Sequence, residues 1–149
     1  MSHLRKRIGE KIAERLTMID GVKVFANRYH SLSQDELPAI QIFFDSEEVI
    51  ARSAGSLDPE QPRNTGRVAT FDIQVTVKAG EDLFGMLDRI SVKIEKILAS
   101  GRFLDGLTQD LRLSTTRMTI EGEGELPAGM SSMVWEAEYW CLETNPEED

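Results

Sequence analysis

The sequence has 149 residues, a single cysteine and a formal net charge of -9 from 17 basic and 26 acidic side chains, enough chain for one domain that buries a core without disulfides or structural metal. Nine carboxylates and no Lys or Arg fall between Glu121 and Asp149, so this end carries the whole net charge and excludes a broad nucleic-acid footprint, which needs clustered positive charge. Cys141 cannot form an internal disulfide, which suits a reducing compartment, and no apolar run approaches the length of a membrane-spanning helix.

Ser2 is a candidate cap for an opening helix in which Leu4, Ile8, Ile12, Leu16 and Ile19 recur at spacings of four, four, four and three, the mark of a single apolar stripe. The opposite face carries Arg5, Lys6, Arg7, Glu10, Lys11, Glu14 and Arg15 and reads first as a solvated, mostly basic surface. Asp20 and Gly21 supply a turn, and Val22, Val24 and Ala26 begin a short strand. His30 lies in the polar connection that follows. With His3 as its only fellow histidine, it reads as a loop residue rather than a catalytic or metal-binding one.

Leu37 to Phe44 reads as a second strand, with Pro38 at its start, where a missing amide hydrogen costs no ladder bond. Ser46 to Gly66 is rich in Ser, Gly and Pro and is expected to be a long mobile loop. Such a segment either orders on a partner or is a tolerated surface insertion. Arg52, Arg63 and Arg67 are its positive points.

A strand is then predicted where Phe71, Ile73, Val75 and Val77 alternate with polar Asp72, Gln74, Thr76 and Lys78. After Ala79 and Gly80 the period lengthens. Leu83, Leu87, Ile90, Ile94, Ile97 and Leu98 form one stripe of a helix that Asp82 can cap and Gly101 can end. Leu111 to Ile120 reads as a strand whose apolar parity changes between Leu113 and Met118, which either a bulge near Thr115 and Thr116 or a strand covered on both faces would reconcile. Gly122, Gly124 and Gly129 do not make a phosphate cradle, because Glu121, Glu123 and Glu125 would repel an anion and a strand follows. That last strand, from about Ser131 to Glu143, places Met133, Trp135, Ala137, Tyr139 and Cys141 on one face and Glu136 and Glu138 on the other. Cys141 reads as a small core residue. Trp140 points outward, as an interface anchor or as a ring covered by the chain's own loop. Residues 145–149 are expected to be a frayed acidic tail.

The expected fold is α+β. Two one-sided helices lie on one face of a mixed sheet of four to five strands, in the order α-β-β-(long loop)-β-α-β-β, within a single domain over residues 1–144. No catalytic signature assembles: there is no paired-cysteine or histidine metal motif, no nucleophile elbow and no nucleotide-binding glycine pattern. Neither an enzymatic activity nor a cofactor is therefore expected.

Val24-Phe25, then Leu37-Pro38-Ala39-Ile40-Gln41-Ile42-Phe43 trailing into Asp45, Glu47 and Glu48, then the strand at Phe71 to Val77 resemble the tail terminator proteins of long-tailed bacteriophages, the family of the lambda minor tail protein U. The helix with Asp82, Leu87-Asp88, Ile90, Ile94-Glu95 and Leu98 and the closing pair of strands are similar too, so the resemblance spans nearly the whole chain in element order. It implies a non-enzymatic tail (completion) protein of a phage or prophage, found in the virion tail and, during assembly, in the bacterial cytoplasm. The implied partners are further copies of the chain in a homo-hexameric ring, the tail tube protein and head-tail connector proteins. A head-tail neck completion protein and a small-molecule-binding α+β domain are the alternatives, the second needing a polar pocket on the free sheet face.

The charge asymmetry suggests an interface in which basic points meet acidic ones on the next subunit. Arg5, Arg7, Lys11, Arg52, Arg63 and Arg67 are the candidate basic residues, Glu136 and Glu138 the acidic ones, and Trp140 the apolar anchor. Reversing Arg5 and Arg7 is expected to weaken assembly and leave the domain folded.

Overall fold

A computed structural model describes residues 3–26, 32–53, 63–78, 80, 82–121 and 128–147. The elements run in the expected order: α1 (Leu4–Leu16), β1 (Lys23–Ala26), β2 (Ala39–Arg52), β3 (Asn64–Val77), α2 (Leu83–Ser100), β4 (Asp110–Glu121) and β5 (Ala128–Leu142). Short 3₁₀ turns at Gln34–Glu36 and Leu104–Gly106 precede β2 and β4.

Five strands form one mixed sheet in the order β1-β2-β3-β5-β4. β1 pairs parallel with β2, and every other pairing is antiparallel. β3 and β4 both run against β5, so they are parallel to each other, and α2 makes the crossover between them with β5 filling the gap.

Both helices pack on one face of this sheet. Alternate residues of β5 from Gly129 to Cys141 are buried, as are Ala69, Phe71, Ile73, Val75 and Val77 of β3, which is what a strand with one covered face requires. Against them lie Leu4, Ile8, Ile12 and Leu16 of α1 and Leu87, Ile90, Ile94 and Leu98 of α2. Gly9 lets α1 approach closely: a Cβ there would lie 3.1 Å from Phe71 Cε1. α2 begins as expected, with the Asp82 side chain accepting from the Gly85 amide at 3.1 Å. Gly101 ends it, its amide bonding to the Ile97 carbonyl.

Several boundaries differ from the sequence reading. The cap of α1 is His3, whose Nδ1 accepts from the Arg5 amide at 3.1 Å, while Ser2 lies outside the described residues. The expected loop over 46–66 is largely strand. β2 runs on to Arg52 and β3 starts at Asn64, paired antiparallel across the whole of this extension. The polar stretch concealed it because the ladder skips a residue between Phe44 and Ser46. Before this bulge Ile40, Ile42 and Phe44 share the helix side; after it Glu47 and Val49 do, so the parity changes where the composition also turns polar. Residues 54–62, the remainder of that expected loop, lie outside the described residues, as does His30. In β4 the register shifts between Leu113 and Thr115, at the expected bulge.

The tail expected to fray is docked as far as Glu147. The Leu4 amide donates to the Pro146 carbonyl at 3.0 Å, and Arg7 Nη1 donates to the Glu147 carbonyl at 3.3 Å. α1 has no acidic residue in its first turn, so His3 and the tail supply the acceptors that its opening amides need.

Candidate functional site

The bulge in β2 has its main effect at Glu47. It turns this carboxylate under the start of α1, where the side chain is only 9% exposed. Burying a carboxylate is costly unless charge and hydrogen bonds compensate, and three elements supply them. Arg5 of α1 places Nη1 3.0 Å from Oε2, and Arg67 of β3 places Nη1 3.2 Å from the same atom. Tyr139 of β5 donates its hydroxyl to Oε1. Burial, followed by the hydrogen bond and charge of Glu47, pushes the Tyr139 phenol far above its ordinary value and keeps it a donor. Arg67 Nε also bonds to Thr65 Oγ1 at 3.1 Å, and that hydroxyl faces Cys141 Sγ at 3.5 Å.

Beside this cluster is a cavity of about 150 Å³ lined by Arg5, Lys6, Gly9, Ala26, Ile42, Phe44 and Phe71. Its walls are mainly apolar, and Arg5 stacks 5.2 Å above the Phe44 ring, which meets Phe71 edge-on. Glu47 is held by donors on both oxygens, so the cluster ties α1, β2, β3 and β5 together.

The residues singled out as interface candidates fall in several places, and most have partners within the chain. Arg5 and Arg67 meet at Glu47. Arg7 reaches the docked tail. Lys11 pairs with Glu14 at 3.3 Å and with Asp105 at 3.0 Å, and Arg15 pairs with Asp105 at 2.6 Å. Arg63 grips Glu143 with Nε and Nη2 at 2.8 and 3.0 Å. Glu136 and Glu138 both bind Arg112, at 3.2 Å each, and Arg112 also reaches Asp110. Arg52 is exposed at the end of β2. The charge complementarity expected between subunits is thus met in large part inside one chain, because the sheet brings the acidic β5 beside Arg112 of β4 and Arg63 beside Glu143.

Trp140 is half-buried on the helix-free face of the sheet. Its indole lies over Gly66, the residue directly opposite on β3, where an added Cβ would come within 3.0 Å of Cζ2. The ring is therefore covered by a strand of its own sheet. On the same face Ser132 Oγ donates to Asp72 Oδ1 at 2.6 Å and Gln74 Nε2 to Asp72 Oδ2 at 2.8 Å.

The sequence reading missed Glu47 and Tyr139 as partners. One signal was present: a Tyr in the apolar row of the last strand needs an acceptor for its buried hydroxyl. Which acceptor it finds depends on the β2 bulge.

No protein-family model matches the chain, and no curated protein matches it. Among solved structures it is similar to a chain from the virion of a native gene transfer agent (GTA) particle, with 13% identity and a TM-score of 0.44 over 91% of this chain and 92% of that one.

Proposed function

We propose that the protein is a non-enzymatic structural component of a phage or phage-like particle, a tail terminator that forms a ring on the end of the tail tube and stops its polymerisation. What supports this reading is the resemblance of the sequence, in element order along nearly the whole chain, to tail terminator proteins, in a chain that folds as the expected two helices on one face of a mixed sheet. The domain presents surfaces suited to assembly: a sheet face without a helix, two sheet edges on opposite sides, and exposed Val49, Ile50 and Ile120. Its internal charge network holds one rigid unit, as a ring subunit requires. A net charge of -9 also suits a channel through which DNA must slide without sticking.

In this role the partners are further copies of the chain, the tail tube protein on one side and connector proteins of the head on the other. The test is assembly of tube protein with and without this chain. Tubes of limited length, with ring density at one end by electron microscopy, are the expected result. Tubes that grow without limit in the presence of excess chain overturn the terminator reading. Binding to portal-side proteins but not to the tube favours a neck position.

A further inference from the structure

The outward side of α2 carries a pattern that its buried stripe does not explain. Leu87, Ile90, Ile94 and Leu98 face the core. On the opposite side Gly85, Val92 and Ala99 recur at spacings of seven, as do Asp88 with Glu95 and Arg89 with Lys96. Val92 is 46% exposed, and Ala99 and the four charged residues are exposed. A seven-residue spacing returns to nearly the same side of a helix after two turns, which lets two helices lie along one another.

The charges on this side are sorted by sign. At about 100° per residue, Asp88 and Glu95 fall to one side of the line through Gly85, Val92 and Ala99, and Arg89, Lys93 and Lys96 fall to the other. The basic strip sets like charges four and three residues apart, which disfavours a lone helix, and neither carboxylate has a cation three or four residues away. α1 is built otherwise: Lys6 pairs with Glu10 at 3.8 Å and Lys11 with Glu14 at 3.3 Å. Among the described residues, the one ion pair that α2 makes is Arg89 with Asp82, at 3.6 Å between two exposed side chains.

We propose that the outward face of α2 pairs with the same face of a second copy, the two helices parallel and in register about a two-fold axis that runs along them. The contact closes after two copies, so it is separate from the ring contact of the tail-terminator reading and does not depend on it.

The charges choose the orientation. Rotation about an axis parallel to the helices lays the acidic strip of each copy on the basic strip of the other. Asp88 then meets Arg89 and Glu95 meets Lys96, each pair made twice. Antiparallel helices would set acidic strip on acidic and basic on basic. The central line chooses the register: Val92 meets its own copy on the axis, and the small Gly85 and Ala99 let the helices approach two turns to either side. A slip of seven residues would set Val92 against Ala99 and leave charges at each end without partners. A face that is its own complement under this rotation is what an isologous contact requires, and it identifies the occupant as a second copy. With one aliphatic side chain per copy at its centre, the contact is small, so the free chain should exchange between monomer and dimer and the dimer should weaken with salt.

Two experiments test the contact. Val92→Cys and Ala99→Cys, each alone, should give disulfide-linked dimers under mild oxidation, because both positions lie on the two-fold line and the native Cys141 is buried. Glu10→Cys, exposed on α1, should not. A link at 92 without one at 99 means crossed or antiparallel helices and overturns the proposal, as does equal linking at position 10. In sedimentation at low salt, Asp88→Lys with Glu95→Lys should raise the dimer dissociation constant about tenfold. Adding Arg89→Glu and Lys96→Glu to the same chain, which exchanges the two strips, should restore it. All four side chains are exposed, so each variant should keep the native circular dichroism. A reversal without effect, an exchange that restores nothing, or a chain that stays monomeric and unlinked at every concentration overturns the pairing. A chain that caps tubes without the 92 and 99 links loses this contact and keeps the terminator reading, and a linked dimer that never caps a tube does the opposite.

Discussion

Without the Glu47 carboxylate, Arg67 would lose its anionic partner and keep only Thr65 Oγ1 as an acceptor, and the largely buried Tyr139 hydroxyl would lose the acceptor it donates to. Glu47→Ala is therefore expected to lower the unfolding free energy by about 3 kcal/mol, the scale of breaking a buried ion pair from one side, measurable by urea titration. Arg5→Glu, which the sequence alone suggested would spare the fold, sets a second carboxylate against Glu47 and should cost about 1 to 2 kcal/mol. An assembly defect in that variant would consequently not report on an interface. His3 adds a pH dependence. Burial, then the charge of Arg5 and after it Arg67, lowers its pKa below the ordinary 6.5, with Glu47 and Glu147 opposing. A depressed pKa means that the unfolded chain binds the proton more readily, so the contribution of His3 is present above 6.5 and is lost as the pH falls through the folded value. Protonation also removes the Nδ1 acceptor that caps α1. Stability should fall as the pH is lowered from neutrality through the ordinary histidine value of 6.5, and His3→Asn, which keeps an acceptor without titrating, should flatten that drop.

At the scale of elements, the helices and the regular strands were legible because each has one covered face. The stripe from Leu83 to Leu98 and the alternation from Phe71 to Val77 follow directly from that geometry. The bulge in β4 was legible as one of two readings, since the parity of Leu113 and Met118 calls for either a bulge or cover on both faces, and the register shift between Leu113 and Thr115 decides for the bulge. The β2 extension was not. A bulge and a run of Asp45, Ser46, Glu47 and Glu48 fall together there, and a polar run with the wrong parity reads as loop. The candidate basic residues were named as interface points, and most of them find partners within the chain that lie many residues away and depend on strand order, which periodicity does not encode. Packing across strands also gives Gly66 its role. Gly66→Val would drive Cβ and its methyls into the Trp140 indole, displacing the ring from β3. The expected result is a loss of about 1 to 3 kcal/mol with red-shifted tryptophan emission. An unchanged spectrum would mean that the indole does not rest on that strand.

Over the whole molecule, the paired charges leave a surplus of nine negative charges. Duplex DNA should therefore show no retardation by this protein in a gel-shift titration at physiological salt, and tight salt-sensitive binding would contradict the channel role. The docked tail has a separate consequence. With the Leu4 amide on the Pro146 carbonyl, the two ends of the described chain lie side by side, and the domain is nearly a closed loop of polypeptide. Its strand order in space need not depend on where the ribosome starts. A circular permutant that links residue 147 to residue 3 through a few glycines and opens between β4 and β5 would turn that hairpin into a pairing of the first and last strands. Such chains tolerate new ends where few contacts are cut. The permutant is expected to keep the near-ultraviolet signal of buried Trp135 and to fold more slowly, because a contact formerly local now closes the longest loop in the chain.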